Sequence, residues 1–439
     1  MRTYRAELVA MSGVRIVDPE LRDLGMTLPG FMERGKVIAS LPSLGLLTLA
    51  GYCPENWLPS YREVPDNDEA HFQQIVEAQP DLVAISSLTA RIFDAYTLAD
   101  KLRAEGIPVV IGGLHATVLS DEVLQHADAA AVGDGETVWR QILHDTEQGK
   151  LAGIYRGEVH QFRENDPIPR FDLLETDRYN RFTMQASRGC PIDCDFCAAS
   201  RLLGPARRKP IALIRREIEA ILQVWGKPFI ELADDNTFFS KRWGRELLRL
   251  FSEYRFRWFT ESDISIADDD ELLDLLSDAG CAQILIGLES SIPESLATAD
   301  PRGWKGRQFE RYAEAIAKIQ SRGVSVNGCF VLGFDHDSPT VFEETLSLIR
   351  ELDLSEVQLT IFTPFPGTAA YDRLKQQGRL LRDAFWDQCT LFDLTFVPKL
   401  MTQDEFAVGF RQLVKDVYSP SETSKRRAKF VGAVRASAP

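Results

Sequence analysis

The sequence predicts an α/β protein: a doubly wound N-terminal domain, then a partial (β/α)6 barrel, then a small, mainly helical C-terminal region. Three observations carry that expectation. Short apolar runs alternate with helical patterns along most of the chain, the mark of parallel sheets covered by helices. Runs such as "DLVAISS" (81–87) and "IPVVIGG" (107–113) are apolar almost throughout, as central parallel strands covered on both faces should be. Beyond residue 182, six strand candidates follow in series, separated by helical patterns, and each ends in a polar or glycine-bearing segment.

In the first part, strands are expected near 6–12, 60–64, 81–87, 107–112 and 128–133. Helices fall between them in "LGLLTLAGYC", "EAHFQQIVEAQ", "DAYTLADKLRAEG" and "SDEVLQHA". Residues 1–145 thus read as a Rossmann-like domain. The polar, proline-containing stretch 146–181, with "GEVHQFRENDPIPRFDLLE" inside it, reads as a linker. The barrel is expected over 182–375 and the C-terminal extension over 376–439.

The barrel strands are expected at "FTMQAS" (182–187), "PFIELAD" (228–234), "FRWFTES" (256–262), "AQILIGLES" (282–290), "VSVNGCFVLGF" (324–334) and "EVQLTIFTPF" (356–365). In the helix "IALIRREIEAILQVW", Ile211, Ile214, Ile218, Ile221, Leu222 and Trp225 recur at helical spacing and predict one buried stripe. Barrels of this kind place their chemistry in the loops at the C-terminal ends of the strands. Those ends carry a cysteine loop, then Asp234, Asp235 and Asn236, then Glu261 to Asp263, then Glu289 and Ser290, then "GFDHD" (333–337) and "TPFPGT" (363–368). Any one of these carboxylates alone reads equally well as a solvated turn or a helix cap; together they favour a ligand cavity.

Composition narrows the function. A chain of 439 residues is too long for one core. With 44% hydrophobic and 26% charged residues it is ordinary globular protein, and its net charge of −15 argues against nucleic acid as a partner. No apolar run has the length of a membrane span; the best, "LPSLGLLTLAGYC" (41–53), is short and broken by Pro42 and two glycines. The N-terminus "MRTYRAELVAMSG" does not read as a secretory signal. Seven cysteines, sparse and clustered, suit a reducing cytoplasm and a metal site better than a disulfide framework.

Three of those cysteines, Cys190, Cys194 and Cys197, stand in "SRGCPIDCDFCAAS" at the spacing C-x3-C-x2-C. A structural zinc site wants four ligands, and the next cysteine, Cys281, lies far off in sequence. Iron–sulfur clusters are held by thiolates. With only three, one iron of a four-iron cluster stays open for a substrate or cofactor. The loop, with aromatic Phe196 just before its third cysteine, resembles the cluster loop of the radical S-adenosylmethionine (SAM) superfamily, and the partial barrel agrees with that family's fold.

The resemblance implies that the amino and carboxylate groups of SAM chelate the open iron, and that an electron from the cluster cleaves SAM to methionine and a 5′-deoxyadenosyl radical. It implies further that Phe196 lies beside the adenine and that Asp234 or Asp235 contacts the methionine amino group. These aspartates replace the family's Gly-Gly-Glu segment. Glu289 and Ser290 resemble the fourth-strand residues that reach the ribose or methionine.

In the N-terminal domain "SSL" (Ser86 to Leu88) and "GGLHAT" (from Gly112, with Gly113 next) end adjacent strands, and "GDGE" (133–136) follows. Ordinary turn glycines would explain each alone. In this order, ahead of such a barrel, they resemble the cobalamin-binding domain of class B radical SAM enzymes, the branch with the hopanoid methylases and the anaerobic Mg-protoporphyrin cyclase. The resemblance implies that Ser86, Leu88, Gly112 and Gly113 face a corrinoid. Where histidine-ligating cobalamin proteins carry Asp-x-His-x-x-Gly, this chain has "VDPELRDLG" (17–25), without a histidine. His115 is the substitute ligand to weigh, against a loop histidine bonded to backbone.

The leading expectation is cobalamin-dependent methylation of an unactivated carbon: one SAM methylates cobalamin, a second gives the radical that removes substrate hydrogen, and the carbon radical takes the methyl group. The alternative keeps the radical without methyl transfer, as rearrangement, cyclisation or oxidation of a lipid or other natural product. A more distant alternative is a non-catalytic iron–sulfur or electron-transfer protein. Expected partners are a small-molecule or lipid substrate and an electron donor such as flavodoxin or ferredoxin. Cys53, Cys281, Cys329 and Cys389 read as buried small hydrophobes, and Asp335 and Asp337 as turn formers, with substrate contact as the alternative. The basic tail "SKRRAKFVGAVRASAP" (424–439) reads as a solvated end, with anionic lipid headgroups as the sharper alternative.

Overall fold

The structure, a computed structural model, describes residues 2–24, 41–300 and 302–437. It divides into two compact units. Among the described residues the first takes in 2–15, 41–184 and 202–228, and the second 16–24, 185–201 and 229–437.

The first unit contains a parallel sheet of β1 (Tyr4–Met11), β2 (Trp57–Val64), β3 (Leu82–Ser87), β4 (Val109–Gly112), β5 (Ala129–Val132) and β6 (Gly153–Arg156) in the order β2-β1-β3-β4-β5-β6. Strand order reverses between β1 and β3, so the ligand crevice of such a sheet opens at the C-terminal ends there. Leu8, Leu46, Trp57, Leu82, Val110, Trp139 and Ile142 pack as one core cluster. The strand β6 falls inside the stretch expected to be a linker. Its four residues "GIYR" pair with β5 on one side only and are at most half-buried, so they lack the apolar run that marks a central strand. The helix expected over "SDEVLQHA" is only Ser120–Val123, followed by turns.

A second six-stranded sheet has the order β14-β13-β12-β11-β10-β7. Its strands are β7 (Phe182–Met184), β10 (Phe229–Leu232), β11 (Arg257–Ser262), β12 (Cys281–Glu289), β13 (Ser325–Leu332) and β14 (Glu356–Ile361); β8 (Ser187–Arg188) and β9 (Arg207–Arg208) are two-residue strands outside it. The single strand expected over 182–187 breaks after Met184, because the Ala186 N–H is given to a side chain, Asp234, instead of a strand partner. The helix Ile211–Val224 forms as expected, but its buried stripe runs through Leu213, Ile214, Glu217, Ile218 and Ile221, while Ile211, Leu222 and Trp225 are only half-buried.

Strand pleating separates two faces. One carries buried Ile230, Trp258, Ile284, Ile286, Val326, Phe330 and Leu359. The other is polar: Glu261, Leu285, Asn327 and Glu356 are successive partners across four strands, and Gly287, Cys329 and Gln358 form the next row. Cys329 therefore stands half-buried among polar groups, and Cys53 is half-buried too; Cys281 and Cys389 are buried as expected.

Helices Ala369–Gln376, Gln403–Val417 and Pro420–Ser437 make up the C-terminal region. The "VDPELRDLG" segment belongs to the second unit: Asp393 accepts the N–H groups of Val17 and Asp18 at 2.9 and 2.8 Å, and Asp18 pairs with Arg411 at 2.6 Å. Its last residue, Gly25, lies outside the described residues. The basic tail is helical and partnered: Arg427 meets Glu356 at 2.7 Å, Lys429 meets Asp353, and the Arg426 guanidinium donates to Val417 O at 2.7 Å. Two of these three bonds pair a tail cation with a carboxylate. Among the described residues no helix is long and apolar enough to cross a membrane.

Candidate active site

The cysteine loop is held by the strand end beside it. Asp234, 3% exposed, accepts the Ala186 N–H at 2.7 Å, the Ser187 hydroxyl at 2.8 Å and the Thr237 hydroxyl at 3.0 Å. Asp235 accepts the Gly189 N–H at 2.7 Å, and Gly189 turns the chain at φ 82°. Two neighbouring aspartates thus anchor Ala186, Ser187 and Gly189, which lead into Cys190. Burial pushes Asp234 up to about 6 against the bonds that favour its charge.

Cys194 is buried and Cys190 and Cys197 are half-buried. Burial pushes all three thiols up, and each feels charged neighbours: Cys197 and Asp235 act on Cys190, Lys305 and Glu289 on Cys194, and Asp235 on Cys197. The backbone N–H of Ile192 favours charge on Cys190, and those of Ser200 and Ala199 favour it on Cys197. The Asn236 amide lies 3.9 Å from the Cys190 sulfur and bonds to Asp263 at 2.8 Å. Among the described residues no group of three His, Cys, Asp or Glu side chains is gathered around one ion position. The thiolates of a four-iron cluster bind separate irons and stand wider apart.

Along the rim, Phe196 packs against Phe334 and Phe362, with ring centroids 5.6 and 6.1 Å away, so one aromatic wall joins the cysteine loop to the ends of β13 and β14. Glu289 ends β12 at φ 67°, where the register with β13 shifts. Such positive φ in a non-glycine residue is strained backbone of the kind that collects at functional sites. Its carboxylate accepts from the buried Lys305 ammonium at 2.7 Å. Ser290, also buried, accepts the Ile292 N–H at 3.0 Å. Asp337 accepts the N–H groups of Gly333 and Phe334 at 2.8 and 3.0 Å, a turn former as expected, and Asp335 pairs with Arg379. Glu261 is exposed on the polar face, yet protein atoms crowd its carboxyl. That crowding, then Asp235, Glu231, Glu289 and Asp234, pushes it up to about 8.

Sequence reasoning missed Lys305, Phe334 and Phe362. Phe334 and Phe362 sit two residues and one residue beyond β13 and β14 without any polar flag of their own, although their strand-end position was legible. Lys305 lies in "RGWKGR", which reads as a solvated turn.

In the first unit, Ser86 and Ser87 end β3, Gly112 ends β4, and Gly113 follows at φ 107°. A Cβ on Gly112 would meet only Ala131, its Cβ at 3.5 Å and its O at 3.7 Å, so protein packing leaves room for a methyl there. Leu88 and Leu114, beside these strand ends, are 62% and 38% exposed. His115 lies on the helix Leu114–Val118, 1% exposed, with Nε2 3.5 Å from Glu122 and its ring edge-on to Tyr96. It is therefore neither a loop histidine nor presented to a ligand. In "GDGE", Asp134 is engaged by the His160 N–H at 2.7 Å and the Arg207 guanidinium at 2.5 Å.

A family model of the radical SAM superfamily matches residues 184–349, one of the B12 binding domain matches 34–143, and one of a domain of unknown function (DUF4070) matches 368–438. The chain is a class B radical SAM protein. It is similar to bacteriochlorophyllide d C-12(1)-methyltransferase of Chlorobaculum tepidum, with 28% identity over 79% of this chain and 76% of that one. It is also similar to the hopanoid C-2 methylase of Rhodopseudomonas palustris, with 24% identity over 89% of this chain and 73% of the other. In fold it resembles the radical SAM methyltransferase TsrM of Kitasatospora setae, solved with cobalamin and a [4Fe-4S] cluster: TM-score 0.72 at 15% identity, over 99% of both chains.

The residues of this class B radical SAM protein fit both groups its family implies. Three buried or half-buried thiols on one loop, two of them offered backbone N–H groups that favour their charge, suit metal coordination, which deprotonates them outright. At the sheet edge, exposed Leu88 and Leu114 beside two glycines offer an apolar, open surface to a planar macrocycle.

Proposed function

We propose that this chain methylates an unactivated carbon of a small-molecule substrate. The observation that carries the reading is a loop of three thiols with no fourth cysteine beside them, in a chain whose first unit matches the B12 binding domain. Cys190, Cys194 and Cys197 would hold the cluster. When bound, the cluster supplies the electron that cleaves SAM, and the corrinoid carries the methyl group. The chain's own residues bind and orient. Asp235 accepts from the ammonium of SAM, Ser290 and Glu289 accept from its hydroxyl or amino groups, and Phe196 with Phe334 and Phe362 supports the adenine. Asp234 holds the loop in place. Leu88, Gly112 and Gly113 would hold the corrinoid at the sheet edge.

The two relatives named above act on a chlorophyllide and a hopanoid, both multi-ring small molecules, and a substrate of that class is the reading here. A flavodoxin- or ferredoxin-type protein would deliver the electron in a reducing cytoplasm, where thiols stay free to ligate iron. The test is anaerobic reconstitution with iron, sulfide and hydroxocobalamin, then desalting and analysis. Roughly four irons, one corrinoid per chain and 5′-deoxyadenosine from SAM support the reading. Replacing the three cysteines together by alanine should remove the visible absorption and the SAM cleavage. A parent that loads its cluster fully yet retains no corrinoid would refute methyl transfer.

A further inference from the structure

Lys305 is an unusual neighbour for an iron–sulfur ligand. The residue is 6% exposed, and its ammonium donates to Glu289 Oε1 at 2.7 Å and to Gly287 O at 3.0 Å. Buried ammonium groups are costly unless paired, and this one is built in from several directions. Fully buried Asp300 accepts the Lys305 backbone N–H at 2.8 Å and that of Arg302 at 3.1 Å. One residue earlier, Ala299 O accepts the N–H of Asp195 at 3.0 Å, and Asp195 directly follows Cys194. A short hydrogen-bonded path therefore ties the lysine's own turn to the cysteine loop at its middle cysteine.

Gly287 completes the arrangement. A Cβ there would stand 2.3 Å from Glu289 Oε1 and 3.2 Å from Lys305 Nζ, so only glycine leaves the pair its place. The strained Glu289 backbone, at φ 67°, turns the carboxylate into that place. The ammonium and the carboxylate thus form one buried pair of opposite charges, with the lysine on the turn that is hydrogen-bonded to the cysteine loop.

We propose that Lys305, acting through Cys194, raises the reduction potential of the cluster, with Glu289 as the counter-charge that limits the rise. The proposal rests on Cys194 being a cluster ligand. Reduction adds one electron, taken from an external one-electron donor, to a centre already surrounded by thiolates, with no bond made or broken. A cation buried nearby in a low dielectric stabilises that added negative charge, while an exposed one would be screened by water. Net charge and burial are among the levers that set such potentials. Lys305 is on this account a positioning charge and not a catalytic residue.

The experiment is a redox titration of the reconstituted cluster, followed by electron paramagnetic resonance, on the full chain without SAM. Parent, Lys305→Met, Lys305→Arg and Glu289→Gln are compared. Lys305→Met should titrate at a more negative potential than the parent, Lys305→Arg close to it, and Glu289→Gln at a more positive one. A Lys305→Met protein that carries its full cluster and titrates with the parent overturns the proposal. So does an unchanged potential combined with a tenfold or greater loss of SAM affinity, which would make Lys305 a SAM ligand instead. Should Lys305→Met fail to load, the Glu289→Gln shift decides: a more positive potential supports the proposal, and an unchanged one overturns it. A parent that takes up no cluster overturns the cluster assignment itself, and this inference with it.

Discussion

Asp234→Ala is expected to loosen the cysteine loop before it weakens any cofactor contact. The carboxylate accepts three bonds, at 2.7, 2.8 and 3.0 Å, in a site that is 3% exposed. Two of the donors, Ser187 and Thr237, are hydroxyls that can rotate, and Thr237 already has Thr260 as a second partner. The third, the Ala186 N–H, has no such freedom. Leaving one buried donor unmade costs about 1–3 kcal/mol, and losing each hydroxyl bond about 1 kcal/mol, so the total comes to about 3–5 kcal/mol. Asp234→Asn should cost about 1 kcal/mol, because its oxygen can take the N–H while its amide donates to a hydroxyl. The measurements are anaerobic calorimetry of the cluster-free protein and the rate at which a chelator strips iron from the loaded one. Alanine should lower the unfolding temperature of the transition that contains the barrel and hasten iron loss; asparagine should do neither strongly. An alanine variant that matches the parent in both would refute the anchoring role.

Asp235→Ala, by contrast, should leave the cluster loaded and weaken SAM binding by about 1.5–3 kcal/mol, the value of a charge-assisted hydrogen bond, read by equilibrium dialysis; parent-like affinity would count against the contact. Gly112→Val should abolish corrinoid retention on desalting while iron and sulfide stay at parent levels, since packing tolerates the first added carbon and the cluster cysteines lie in the other unit. Gly113 is the poorer site, because its φ of 107° strains any side chain. Asp337 is 1% exposed and burial pushes it up to about 6, above an unfolded aspartate, so the folded chain binds the extra proton. The stability this contributes is present in acid and is lost as pH rises through about 6, by at most about 3 kcal/mol. Asp337→Asn should flatten that slope between pH 4 and 7 in calorimetry, and an unchanged slope would remove Asp337 as its source.

What could be read from the sequence follows from what each feature demands of its neighbours. A parallel strand covered on both faces must be apolar along its length, so β3 and β4 were legible. Three thiols at fixed short spacing announce themselves without any fold. An edge strand makes no such demand, and β6 passed for a linker. Partnerships distant in sequence leave no local trace either. Nothing near Val17 suggests that its N–H will be taken by Asp393. Lys305 lies among glycines and arginines, and only the fold brings it under the strained end of β12. The pair Asp234 and Asp235 looked interchangeable for the same reason: the donors that distinguish them come from a different strand end.

Those donors divide the carboxylates of the rim into two kinds. Asp234 and Asp337 have their oxygens turned to backbone N–H and hydroxyl groups, which fixes loops and leaves little for a ligand. Glu261 is pushed up to about 8 by its crowding in protein first, and then by Asp235, Glu231, Glu289 and Asp234. Lys305 is ion-paired with Glu289. A region that resists its own ionisation in this way favours a cation over an anion, because a cation relieves the repulsion and an anion adds to it. SAM brings both a sulfonium and an ammonium. The acidic excess at the strand ends is therefore better explained by what the site must receive than by the solubility of its surface. It also sets the condition under which a single buried lysine is informative: among so many carboxylates, a cation placed next to a thiol needs a reason of its own.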